Sequence, residues 1–242
     1  MDRRIYDQMR AVEDDHWWFR GRRQVIAAML ARVPAIRSAR VLDAGCGSGG
    51  NLGTYTRFGG VLGVDTDVEA LSHALGRGYR AVGVASLLGL PFRDAAFDLV
   101  CATDVVEHVE DDVGALREFC RVTAPGGHLL VTVPAHRWLW SDSDVQLGHY
   151  RRYVAREVEE RCRHAGWAVR RTTYFNSVLL PPIAAMRWMR QRRGSGFAPT
   201  ELAQTGPGAN RVLRVPMALE ARLVSAGVRL PTGVSIACLC QR

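Results

Sequence analysis

The stretch Val41-Leu42-Asp43-Ala44-Gly45-Cys46-Gly47-Ser48-Gly49-Gly50-Asn51 constrains this chain more than any other. The run Arg40-Val41-Leu42 reads as a strand that stops at glycines, and Leu52 to Phe58 can begin a helix. Glycines in a strand-to-helix turn admit backbone angles closed to other residues and let a ligand come close to the main chain. A helix behind such a turn offers unpaired N–H groups and a positive dipole end. The layout is that of a nucleotide-type pocket in an α/β protein.

Gly45, Gly47 and Gly50 satisfy G-x-G-x-x-G, the spacing of dinucleotide enzymes, so the glycines alone leave the nucleotide open. Asp43 argues against a dinucleotide. A carboxylate two residues before the first glycine sits badly beside a pyrophosphate and suits a ligand carrying an ammonium and a sulfonium. The next strand, Val61-Leu62-Gly63-Val64-Asp65, ends in an acid 20 residues after Gly45, where a ribose diol needs a bidentate acceptor. Asp65 therefore supports an adenosine cofactor without choosing its type.

Asp43-x-Gly45-x-Gly47-x-Gly49 resembles motif I of class I S-adenosylmethionine (SAM)-dependent methyltransferases. Pro91-Phe92, Phe97-Asp98-Leu99-Val100, Glu107-His108-Val109, Leu116-Arg117-Glu118 and Pro125-Gly126-Gly127 follow in that family's order, within a methyltransferase-11-like bacterial subgroup. The lead-in His16-Trp17-Trp18-Phe19-Arg20-Gly21-Arg22-Arg23 is similar to one found in that subgroup. The resemblance implies a Rossmann-like, seven-stranded, mostly parallel sheet. Around it would lie an N-terminal helical cap (1–35), a SAM-binding core (36–174), a helical insertion or lid (175–232) and a final core strand (233–242). It also implies a cofactor set. Arg23 would meet the SAM carboxylate, Asp43 the ammonium through water, and the backbone of Gly45, Cys46, Gly47 and Gly49 the ligand itself. Asp65 would hold the ribose, with Thr66 beside it; Ser86 and Leu87 fall at the adenine, and Thr103 and His108 toward the methionine end. Ser86 departs from the family, which usually places an acid there. The product would be S-adenosylhomocysteine.

Periodicity gives helices through residues 1–35 up to Pro34, then at Val68–Leu75, Ala115–Val122, Val154–His164, Phe175–Arg193 and Arg211–Ala226. Further strands read at Arg80–Ala85, Phe97–Ala102, His128–Val133, Ala168–Tyr174 and Gly233–Leu239, with Pro125-Gly126-Gly127 as a turn. Gly194 to Gly208 is a Gly/Pro-rich link. Sheets of this family usually join their last two strands by a hairpin, so the residues placed between them here should encode the substrate.

All 32 basic residues counted as Lys or Arg are Arg, which looks like genomic bias. The net charge of +8 is concentrated: residues 151–193 hold 11 Arg against Glu157, Glu159 and Glu160. That stretch suits an anionic acceptor, a membrane surface or RNA, but no nucleic-acid module or spaced stacking aromatics accompany it. The six cysteines show no zinc spacing, the first residues are charged, and no apolar run approaches ~20 residues, so a cytoplasmic enzyme is expected.

Because a sulfonium is already activated, such an enzyme mainly aligns a nucleophile and excludes water. A base is needed for a hydroxyl or an ammonium, and His suits that task near neutrality. His149, His136 and Tyr153 are the acceptor-side candidates. Asp104, Glu107 and His108 share a helix face at i, i+3 and i+4, and with His136 could ligate a metal; the favoured reading has none. The expected function is methyl transfer from SAM to oxygen or nitrogen of a small or medium acceptor that is natural-product-like, lipid-like or glycan-linked. Residues 177–193 would serve as lid, with peripheral membrane contact as a further use. An NAD(P)-dependent oxidoreductase and a SAM-binding regulator without methyl transfer are the alternatives; oligomeric state is open.

Overall fold

The computed structural model describes residues 3–31, 38–79, 81–193 and 205–242. Seven strands form one sheet in the order β3-β2-β1-β4-β5-β7-β6, all parallel except β7. They are β1 (Ala39–Ala44), β2 (Gly59–Asp65), β3 (Ala81–Val84), β4 (Phe97–Thr103), β5 (Thr123–Pro134), β6 (Ala168–Phe175) and β7 (Ser235–Gln241). The helices are α1 (Arg3–Val12), α2 (Trp17–Leu30), α3 (Leu52–Tyr55), α4 (Val68–Gly76), α5 (Asp112–Val122), α6 (Asp142–Leu147), α7 (Ala155–His164), α8 (Leu180–Arg193) and α9 (Pro207–Ala226). This is the seven-stranded Rossmann-like architecture that the resemblance implied.

Strand alternation sorts side chains between two cores. Leu129, Val131, Cys238 and Cys240 face α5 and α7, while Leu130, Ala237 and Leu239 face α2 and α9. The second core needs close helix packing. A Cβ on Gly21 of α2 would lie 2.6 Å from Met217 Cβ of α9, so only glycine permits that approach. The insertion is thereby tied to the N-terminal helices.

Several local expectations change. The N-terminal helical stretch divides at residues 13–16 into α1 and α2, with the His16 ring accepting from Trp18 N–H at 3.3 Å. Pro34 and Arg80 lie outside the described residues, as does 194–204 of the Gly/Pro-rich link. The helix after the glycines is a single turn, α3, which leaves ligand contact mainly to the loop itself. Pro125-Gly126-Gly127 is not a turn before a strand. It sits inside β5 as a bulge, where the β4 pairing jumps from Phe97↔Thr123 to Leu99↔His128. α8 starts at Leu180 rather than at Phe175, because β6 continues through Phe175. α6 was not foreseen.

Candidate active site

The strand order reverses direction between β1 and β4, and a cavity of about 880 Å³ opens at the carboxyl ends of the strands there. Ligands of open α/β sheets bind at this switch point. Gly45, Cys46, Gly47, Asp65, Thr66 and Thr103 line one half. Gly45 has φ +77°, and a Cβ there would lie 2.3 Å from Val105 Cγ2. Asp65 braces the loop, its two carboxylate oxygens accepting Gly47 N–H at 2.9 Å and Asp67 N–H at 3.1 Å.

Asp43 is fully buried below the loop and is not on the cavity wall. Tyr79 Oη donates to its Oδ2 at 2.5 Å, and Oδ1 has no hydrogen-bond partner among the described residues. Burial pushes the Asp43 pKa up to about 7, against the pull of the Tyr79 hydrogen bond and of Arg22. Gly49 packs against Tyr79 and Ala74. Ser86 and Leu87 lie off the wall, with Ser86 Oγ accepting Leu88 N–H at 3.2 Å.

The arginines of α2 divide. Arg23 turns to backbone carbonyls, donating to Glu13 O at 2.9 Å, Asp14 O at 3.1 Å and Gly50 O at 3.3 Å. Arg22 lines the cavity, pairs with Asp104, and lies 4.8 Å from the Trp18 ring centroid. Spacing favours Arg23, but neighbours on a helix point about 100° apart, and it is Arg22 that reaches the cavity wall. Trp17 and Trp18 both reach the wall.

The three acceptor-side candidates do not come together. Tyr153 is 2% exposed, donates to Asp112 Oδ2 at 2.9 Å and is away from the cavity wall. The His136 ring stacks on Tyr174, centroids 5.2 Å apart, with Nε2 3.0 Å from Thr232 Oγ1, and is likewise off the wall. The proposed metal set of Asp104, Glu107, His108 and His136 is therefore not assembled, since Asp104 is also taken up by Arg22.

His149 is on the wall. Its Nδ1 is 2.8 Å from Asp144 Oδ1, which also accepts Arg152 Nε–H at 2.7 Å. Burial would raise the Asp144 pKa, but the His149 and Arg152 interactions outweigh it and hold the carboxyl down at about 2. An ionised carboxylate only accepts, so His149 donates to it through Nδ1–H, which turns Nε2 to the cavity side. Nε2 is 4.0 Å from Glu107 Oε1. The His108 ring packs on His149 at 4.7 Å between centroids; burial, then the charge of His149, lowers its pKa to about 4. Beyond His149 the wall turns apolar, with Leu147, Leu179, Pro182, Ile183 and Met186. Asn176 lies at the edge of this region with φ +58°, fully buried, its amide atoms without partners among the described residues.

A family model described as a methyltransferase domain matches residues 42–131. The malonyl-[acyl-carrier protein] O-methyltransferase of Enterobacter lignolyticus is 32% identical over 70% of this chain and 69% of that protein. The chain belongs to the class I SAM-dependent methyltransferases. A Mycolicibacterium smegmatis protein named as a probable SAM-dependent methyltransferase is 34% identical over 66% of the chain, which spans 62% of that relative's length. Among solved structures, phosphoethanolamine N-methyltransferase 2 of Haemonchus contortus with SAM superposes at a TM-score of 0.60 and 20% identity. That match covers 90% of this chain and 52% of the other, and shows the shared fold. For this methyltransferase, membership resolves the ambiguity of Gly45, Gly47 and Gly50 in favour of SAM over a nicotinamide dinucleotide.

Asp144 and Asn176 escaped the sequence reading for different reasons. Ser141 and Asp144 form a capping box on α6, so Asp144 carries the signal of a helix start and hides its second role. Asn176 has no local signal. Its orientation follows from Glu220 of α9, whose Oε1 accepts Ser177 N–H at 2.8 Å and Val178 N–H at 2.9 Å.

Proposed function

We propose that this methyltransferase moves the methyl group of SAM to oxygen or nitrogen of a small or medium organic acceptor with an apolar body, of natural-product, lipid-like or glycan-linked type. The supporting observation is one continuous cavity whose glycine-loop half suits the cofactor and whose α8 half is apolar, with His149 at the junction. SAM would lie over Gly45 to Gly47, its ribose on Asp65 and its methionine end toward Arg22, Thr103 and His108. Arg23, Asp43, Gly49, Ser86 and Leu87 would act from behind or beside that contact surface. In the reaction the acceptor's lone pair bonds to the methyl carbon as the S–C bond breaks. Sulfur keeps the bonding pair and becomes a neutral thioether, and the acceptor's proton leaves. Removal of that proton belongs to the Glu107–His108–His149 group, in which Asp144 fixes the ring of His149. His136 and Tyr153 support this half through packing.

α8 fits the lid role. Leu179, Ile183 and Met186 roof the cavity, while Trp188 and Met189 are exposed, with the Arg192 guanidinium 3.9 Å from the Trp188 ring centroid. That outer face is the part of 177–193 available for peripheral membrane contact. Among the described residues no helix is long and apolar enough to cross a membrane.

The test is tritiated methyl incorporation from SAM across a panel of hydroxy and amino acceptors, beside calorimetry with SAM and S-adenosylhomocysteine. Labelled product that disappears in Asp65→Ala supports the reading. Tight SAM binding with no labelled product across the panel would favour the regulator instead, and no SAM binding would overturn both.

A further inference from the structure

Three side chains that can ligate a metal meet at the junction of the two halves. Glu107 and His108 come from the 3-10 turn Val106–His108 that follows β4, and His149 from the segment after α6. One ligand atom from each lies within 4.8 Å of the other two. Glu107 is 1% exposed, and its Oε2 has no hydrogen-bond partner among the described residues. A buried carboxylate with an unmet oxygen is costly unless a cation offsets it. The neighbouring arginines are spent on other acids, Arg22 on Asp104 and Arg152 on Asp144.

The histidines are oriented toward this point. Asp144 accepts the His149 Nδ1–H, so Nε2 is the ring nitrogen turned toward Glu107. His108 brings a second ring nitrogen to the cluster, and its ring has the Gly148 backbone as a hydrogen-bonding partner. An imidazole whose far nitrogen is fixed by a carboxylate is the arrangement that orients metal-binding histidines.

We propose that Glu107, His108 and His149 bind a divalent cation of the zinc, manganese or iron class, with Asp144 as a positioning residue behind His149. Two imidazoles and one carboxylate suit such ions and leave coordination positions open. All three residues line the cavity, so the open positions face the acceptor half. An acceptor oxygen that coordinates there loses its proton to water at lower pH than it would free in solution. That catalytic consequence rests on the methyl-transfer reading, and ion binding itself does not. The set differs from the one spacing suggested, because His149 comes from a segment distant in sequence and replaces both Asp104 and His136.

The protein, stripped with EDTA and desalted, is titrated with Co²⁺ followed by visible absorption, and its Zn²⁺ content is measured after gel filtration. One ion per chain is expected. His149→Asn should weaken binding by about 100-fold or more and Asp144→Asn by about 10- to 100-fold. Glu107→Gln should match His149→Asn. Cys162→Ala should leave binding unchanged, which matters because Cys162, Cys238 and Cys240 are another cluster of ligand atoms among the described residues. S-adenosylhomocysteine calorimetry on each sample reports folding. If Glu107→Gln fails to fold, His149→Asn and Asp144→Asn carry the test. A wild-type protein that retains no ion, a folded His149→Asn that binds like wild type, or binding that vanishes in Cys162→Ala would each overturn the proposal. Methyl transfer by metal-free protein would overturn only the catalytic consequence. Ion binding without any SAM binding would instead remove the methyl-transfer reading and leave this site standing.

Discussion

The glycine-loop half of the cavity comes from one contiguous stretch and two strand ends, whereas the α8 half collects residues from α6, the turn after β6, α8 and α9. In the first half, backbone and short side chains line the cavity, and the sheet supports them directly. In the second, the functional groups are held by other side chains: His149 by Asp144, five residues before it, and the Asn176 turn by Glu220 of α9. A binding loop of the first kind can be copied between proteins with little change. A wall of the second kind can be altered one support at a time, which suits it to the task of distinguishing acceptors.

The largest expected effect tests whether the second half carries chemistry at all. His149→Ala should lower the turnover rate by about 10²- to 10⁴-fold with SAM affinity retained, measured by methyl incorporation at saturating SAM. An equal fall in SAM affinity would shift His149 to the first half. Next, burial pushes the Asp43 pKa up from the usual carboxylate range to about 7 in the folded protein. Its raised value means that stability is fully present below the unfolded pKa and is lost as pH rises through the folded one. Urea unfolding of Asp43→Asn should therefore show the variant gaining on wild type between about pH 4 and pH 7, toward roughly 4 kcal/mol. A difference that is flat with pH would mean the acid's charge is already compensated in the unliganded protein.

Gly45→Ala should follow, with SAM affinity reduced about 100-fold, since the Cβ combines a left-handed φ with a clash against Val105. Affinity within a few-fold of wild type would show that the loop can move as the second half can. Glu220→Ala leaves two backbone N–H groups without their acceptor and should cost about 2 kcal/mol of stability. Acceptor KM should rise more than SAM Kd; equal changes would break the separation between the halves. The smallest effect is assigned to His136→Ala, less than about 3-fold in rate, because its ring is stacked on Tyr174 outside the cavity.

Motif spacing made the sheet and the glycine loop legible, because a strand-to-helix turn and the next strand's terminal acid are local features with fixed offsets. The same local signals misdirected where two neighbours compete for one role. Spacing favours Arg23, whereas the docking of α2 on α9 through Gly21 turns Arg22 inward. His136 and His149 were both loop histidines beside aromatic residues, and the fold separates them. Pro125-Gly126-Gly127 carried a sound turn signal, yet the pairing of β5 with β4 and β7 extends the strand on both sides of it.

By itself, then, the order of residues determined a glycine loop, the acid at the end of the next strand and the strand rhythm that carries them, since each depends on neighbours a few positions apart. The tertiary structure alone decided which arginine enters the cavity, which histidine meets Glu107, and that Asp144 stands behind it. The contacts of Arg22 with Asp104 and of His149 with Glu107 join segments about 40 residues apart or more. Their geometry is set by helix docking and buried hydrogen bonds rather than by local conformational preference.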